Sequence, residues 1–189
     1  MSSRQNRTSA APSEDPETAL SRPRPAVTAG RSRQLSVLLV FLAASAVVAW
    51  VGGMWTASSV GSWYSALDKP SWTPPNFLFG PVWTLLYAAM AVAAWAVWRL
   101  GGWRRNPAAL TLYSVQLLLN LLWSGLFFGQ RSPFWGLIDI SLLWLAILAT
   151  LVLFFRRSRL AGWLMVPYLL WVSYAGALNF AIWRLNPGA

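Results

Sequence analysis

The chain has 189 residues, 57% of them hydrophobic and 11% charged, with 14 Trp and a formal charge of +10. Globular domains carry about a quarter charged residues, so this is the composition of a membrane protein. No Cys and no His occur, which excludes disulfides, zinc and Fe–S centres, thiol chemistry, and the commonest general base and haem ligand.

Residues 1–33 are rich in Ser, Pro and Arg and contain Glu14, Asp15 and Glu17. They are predicted to be a disordered tail, set apart from a membrane domain at 34–189. The acids and prolines argue against a mitochondrial presequence. A helix needs about 20 apolar residues to cross a bilayer core. Five segments qualify: Leu35–Thr56, Gly80–Trp98, Ala108–Phe128, Phe134–Phe155 and Leu160–Trp183. The first is too long for a signal-peptide core and is read as a retained span. The breaks fall at Gly101-Gly102, Asn106-Pro107, Ser132-Pro133 and the Arg156–Arg159 turn. These short connections make spans two to five antiparallel neighbours. The expected fold is an all-α integral membrane bundle of five helices, with a long aromatic and Pro-rich loop between the first two.

Twelve of the fifteen Lys and Arg lie before span one, between spans two and three, or between four and five. Only Lys69, Arg131 and Arg184 fall on the other side. The positive-inside rule then puts the N-terminus in the cytoplasm and the long loop outside, in an inner or plasma membrane. Because the Arg residues sit at span ends rather than on one basic face, nucleic acid is not the expected partner.

The loop from Trp63 to Trp83 is crowded with aromatics, unlike a disordered linker. Pro70, Pro74 and Pro75 fix local backbone angles and push their predecessors towards extended forms. The prediction is a rigid, aromatic-faced flap of the kind that covers a flat apolar ligand.

Within span three, Gln116, Asn120, Trp123 and Phe127 share one helix face. Amides in hydrocarbon need partners, so Gln116 and Asn120 face inwards, either tying helices together or, for Asn120, lining a pocket beside Trp123. Trp83, Tyr87 and Met90 form a similar stripe on span two. On span five Tyr168, Trp171 and Ala175 do the same, the Ala leaving room for something flat. Trp50, Trp98, Trp103, Trp135, Trp144, Trp163 and Trp183 are assigned to interfacial belts or lipid-facing packing. Asp139 is the only carboxylate inside a span. It either carries protons or, the favoured reading, serves a structural role by pairing near Arg131 or Lys69. Gly125 and Gly129, and Ser45, Ala49 and Gly53 on span one, mark faces for close helix packing, the Gly pair also for dimerisation.

Three ordered blocks resemble the TspO/MBR family, the tryptophan-rich sensory proteins, also known as translocator proteins or peripheral-type benzodiazepine receptors. The first runs Trp63-Tyr64-x-x-Leu67-x-Lys69-Pro70-x-Trp72-x-Pro74-Pro75, then Phe79-Gly80-Pro81-Val82-Trp83-Thr84-x-Leu86-Tyr87-x-x-Met90. The second holds Gln116, Asn120, Trp123-Ser124 and Phe127-Phe128; the third holds Pro167-Tyr168, Trp171-Val172-Ser173, Ala175 and Leu178-Asn179. The resemblance covers everything from about residue 35 onwards.

It implies a five-helix bundle, usually a homodimer, that binds tetrapyrroles such as protoporphyrin IX, with sterol and benzodiazepine-type ligands in some relatives. The implied function is a membrane receptor or carrier for porphyrins, with roles in tetrapyrrole transport or stress regulation. One alternative is a light- and oxygen-dependent porphyrin-degrading enzyme, with Tyr64, Trp83 and Trp171 as redox participants. Another is a ligand-regulated interaction protein. The expected ligand-binding set is Tyr64, Trp72, Trp83, Tyr87, Asn120, Trp123, Trp171 and Ala175. With no His as axial ligand, metal-free porphyrin is expected over resident haem, and neither metal nor cofactor is expected. Some relatives occupy outer membranes. The proposed sterol motif of animal members is incomplete here, since Phe180 stands where a Tyr is expected.

Overall fold

The computed structural model describes residues 26–188, with side chains from residue 30 onwards. Five helices are long and apolar enough to cross a membrane. They are α1 (Ala26–Val60), α2 (Phe79–Trp98), α3 (Pro107–Ser124), α4 (Pro133–Arg157) and α5 (Arg159–Leu185). The described residues contain no strand. The protein is an all-α, multi-pass membrane bundle, as its five long apolar segments predicted. Helix α1 begins inside the segment read as tail; residues 1–25 lie outside the described residues.

Local chemistry explains where the helices stop. Pro107 and Pro133 stand at the first turns of α3 and α4, where a missing N–H is tolerated. Ser132 and Ser158 cap α4 and α5 by accepting from the amides of Trp135 and Ala161. After α2, Gly101 and Gly102 take φ of +125° and +67°, a turn that a side chain would obstruct. A Cβ on Gly101 would meet the Arg105 side chain at 2.2 Å.

The core lies among α2, α3, α4 and α5. Met90, Ala91, Ala93, Ala94 and Val97 of α2 are fully covered, as are Leu110, Ile147, Phe154, Met165 and Tyr168. Helix α1 joins this core through a few side chains. Trp95 Nε1 donates to Gln34 O at 2.9 Å, Ser45 Oγ lies 3.2 Å from the Tyr113 hydroxyl, and Ser59 Oγ donates to Phe128 O at 2.7 Å.

Two features departed from expectation. The first is that α3 ends in a π-turn, Gly125–Gly129, closed by Gln130 N donating to Gly125 O at 2.7 Å. The turn offers its two glycines to α1, and the Trp55 ring of the same chain lies 3.3 Å from where a Gly125 Cβ would stand. The second is that the long loop carries structure of its own. It contains a helical turn at Trp63–Ala66 and a 3-10 turn at Asn76–Leu78 that leads into α2. Asn186, beyond α5, exchanges two hydrogen bonds with the Asp68 backbone at 3.0 and 2.9 Å. Tyr174 donates to Trp72 O at 2.7 Å. The loop is thereby fastened to α5, which gives the expected flap a physical anchor.

Candidate ligand-binding cavity

Because α1 carries Ala49, Gly52, Gly53 and Ala57 on one side, it cannot fill the space between itself and α2 and α3. A cavity of about 400 Å³ results. Its far wall consists of Phe79, Trp83 and Tyr87 from α2 and Asn120, Trp123 and Phe128 from α3 and its π-turn. Tyr64 and Asn76 close the end nearest the loop. Trp83 and Tyr87 lie with ring centres 5.5 Å apart, and Trp123 stacks on Phe127 at 5.3 Å. Such walls suit a flat aromatic ligand, since offset stacking favours ring against ring.

The polar groups are few and held by the protein itself. Tyr87 donates its hydroxyl to Asn120 Oδ1, and Asn120 Nδ2 donates to the Tyr168 hydroxyl at 3.0 Å. Asn120 therefore lines the cavity and ties α2, α3 and α5 together, so both readings of this amide describe it. Gln116 is completely buried; its Nε2 reaches only Met90 Sδ at 3.8 Å, and its Oε1 is unpartnered. Thr56, Thr84 and Ser124 supply hydroxyls to the wall.

A second, much smaller space of about 30 Å³ lies behind this one. It is lined by Trp171 and Ala175 of α5, and shares Tyr64, Phe79, Trp123 and Phe128 with the larger cavity. Trp171 meets Phe79 at 6.1 Å and Tyr174 at 5.8 Å, and its buried Nε1 has no hydrogen-bond partner. Of the eight residues expected to bind ligand, Tyr64, Trp83, Tyr87, Asn120 and Trp123 line this cavity and Ala175 lines the side space, while Trp171 borders both the side space and a groove of about 390 Å³ between α2 and α5 that it shares with Leu85, Leu86 and Leu170. Trp72 lines neither; it is 46% exposed and packs edge-on against Tyr174 at 5.6 Å.

Lys69, expected beside an anionic group, is turned onto its own loop. Its Nζ donates to the carbonyls of Tyr64, Ser65 and Leu67 at 2.8, 3.3 and 2.7 Å and lies 5.0 Å from the Tyr64 ring centre. Burial, with the nearby Tyr174 as a lesser cause, raises the Tyr64 phenol from 10.0 to about 12. Asp139 is buried in α4, and its Oδ2 has no hydrogen-bond partner. Gly125 and Gly129 both face Trp55 of the same chain.

Several lining residues escaped the sequence reading. The small-residue face of α1 both packs closely and borders a void: Ser45 meets Tyr113 of α3 and a Cβ on Gly52 would lie 3.0 Å from Ser124 Oγ, while Ala49 and Gly53 border the cavity. Asn179 closes the third of the family-like blocks. It accepts from Trp123 Nε1 at 3.1 Å, donates to Pro133 O at 2.7 Å, and so orients the cavity's Trp. The rule that flagged Gln116 and Asn120, an amide inside a span, applies equally to Asn179.

A family model described as the TspO/MBR family matches residues 40–184. The chain is 44% identical over 159 residues to the tryptophan-rich protein TspO of Chlorobaculum tepidum, covering 82% of this chain and 99% of that one. It is 40% identical over 150 residues to the translocator protein of Homo sapiens, covering 78% and 89% respectively. With the tryptophan-rich sensory protein of Cereibacter sphaeroides it shares 39% identity over 151 residues, 80% of this chain and 92% of the other. The matched span reaches into all five helices and includes every cavity-lining residue, and the chain belongs to the TspO/MBR family.

Proposed function

We propose that the protein is a membrane receptor or carrier for porphyrins, bound in the cavity between α1 and the α2–α3 wall. The observation that carries this reading is the cavity itself: about 400 Å³, walled on one side by Trp83, Tyr87, Trp123 and Phe128 and on the other by small residues of α1. That volume falls within the roughly 300–1,000 Å³ of small-molecule sites. A planar macrocycle would stack on Trp83 and Trp123. This differs from a sandwich of Trp83 with Trp171, whose ring borders the side space and the groove between α2 and α5 instead of this cavity. Polar substituents would face Asn76, Thr56 and Thr84, because Lys69 is held by loop carbonyls. The family resemblance supports a homodimer in a cell membrane as part of the same reading.

The test is a Trp-fluorescence titration of the purified protein with protoporphyrin IX in dim light, beside Trp83→Ala. Saturable quenching that weakens about tenfold or more in the variant supports the reading, the scale expected for removing a central aromatic anchor. Absence of saturable quenching contradicts it. Repeating the titration under illumination separates carrier from enzyme. Repeated loss of porphyrin absorbance with a defined product, dependent on Tyr64 or Trp83, would replace the carrier by the photo-oxidative alternative.

A further inference from the structure

The end of the bundle where α2 passes into α3 and α4 into α5 carries an unusual charge. Arg104 and Arg105 lie in the helical turn Gly102–Arg105, Arg156 and Arg157 in the last turn of α4, and Arg159 at the start of α5; all five are exposed. Arg157 Nη2 donates to Arg105 O at 3.2 Å, so the two connections are held side by side. Among the described residues, no carboxylate offsets them: the acids are Asp68, in the α1–α2 loop, and Asp139, buried within α4. Helices α3 and α5 both start at this end, and neither has an acidic residue in its first turn. Their N-terminal dipoles add to the positive field instead of being neutralised.

An apolar floor lies next to these charges. Phe155 packs so closely over Gly162 that a Cβ there would come within 2.3 Å of the ring. Phe155 meets Trp163 edge-on at 5.6 Å. Trp163 is 65% exposed and stands four residues after Arg159, on the same face of α5. Guanidiniums above and an aromatic ledge one turn below match a molecule with a phosphate at one end and hydrocarbon at the other.

We infer that this end of the bundle binds the headgroup of an acidic phospholipid of its own membrane. The phosphate engages Arg104, Arg156 and Arg159, and the acyl region lies along Phe155 and Trp163. Arg suits this role because its planar fork takes phosphate oxygens in pairs. A soluble phosphate would use the charged half alone, and the adjoining ledge favours the lipid. The inference stands independently of the porphyrin reading.

The experiment places the full chain in nanodiscs of phosphatidylcholine with a minor fraction of phosphatidylglycerol, and reads retained lipid by native mass spectrometry. The wild type should retain phosphatidylglycerol in preference. Arg104→Gln/Arg156→Gln/Arg159→Gln should lower that preference by about tenfold or more, on the scale of about 1 kcal/mol per basic residue at a membrane surface. Trp163→Ala should retain less of either lipid. The three arginines chosen make no side-chain hydrogen bond within the described residues, and an unchanged thermal midpoint in pure phosphatidylcholine confirms that the triple variant is folded. Equal retention of both lipids by the wild type, or an undiminished preference in the triple variant, overturns the proposal. So does stabilisation by inorganic phosphate in pure phosphatidylcholine that equals the effect of phosphatidylglycerol, since the site would then be one for soluble anions.

Discussion

Asn120 shows how one residue can set both the stability and the shape of the site. It accepts from Tyr87 and donates to Tyr168, and all three side chains are buried. Asn120→Ala removes both bonds and leaves two tyrosine hydroxyls without their partner, so it should cost about 1–3 kcal/mol. Thermal unfolding in detergent should show a lowered midpoint; an unchanged one would mean the network contributes nothing. Tyr64 makes a prediction about pH. Its folded value, about 12, lies above the ordinary 10.0, so its contribution to stability is complete below pH 10 and is lost as pH rises towards 12. Comparing tyrosinate absorbance of the wild type with Tyr64→Phe should reveal one phenol ionising near 12; a difference centred near 10 contradicts this. The sequence showed that Asn120 had to face inwards, because hydrocarbon does not tolerate a lone amide. It could not place Trp171, because a Trp on such a face looks the same whether it borders the cavity beside α1 or, as here, the side space and the groove between α2 and α5. Its neighbours come from two other places in the chain, Phe79 at the start of α2 and Tyr174 one turn on.

At the scale of elements, α1 is the cavity's small-residue wall, joined to the core by Phe41, Ser45 and Val48 and clamped again where it reaches the loop. The clamp at the loop end is Trp55, seated over the two glycines of the π-turn, together with Ser59 on Phe128 O. Trp55→Ala should cost about 2 kcal/mol, less than for a fully buried Trp because the ring is 37% exposed. It should also speed porphyrin release in stopped-flow quenching; an unchanged release rate would show that α1 is held elsewhere. All five spans and most of their ends could be read from hydropathy, Pro and Gly, since chain length against bilayer thickness leaves little choice. The π-turn could not, because its five-residue hydrogen bond depends on what α1 brings to Gly125 and Gly129. For the same reason Ala49 and Gly53 were legible as small residues but not as the border of a void.

The whole molecule is strongly asymmetric, with twelve basic residues assigned to one side of the membrane and three to the other. Since the chain lacks Cys, single probes can be introduced cleanly. In intact cells Ser71→Cys should react with an impermeant maleimide and Ala108→Cys should not, if the Arg-rich side is cytoplasmic; the reverse pattern inverts the topology. The central claim is that ligand occupies the cavity behind α1. The most direct measurement is the protoporphyrin IX affinity of Gly53→Leu set against Trp171→Phe. Gly53 lines the main cavity and a Cβ there meets nothing within 4 Å, so the leucine extends into open space and favours the helix. The account predicts a fall of about tenfold or more for Gly53→Leu, with stability kept, and a change within about threefold for Trp171→Phe. Unchanged affinity in Gly53→Leu with a large loss in Trp171→Phe would contradict it and move the ligand to α5.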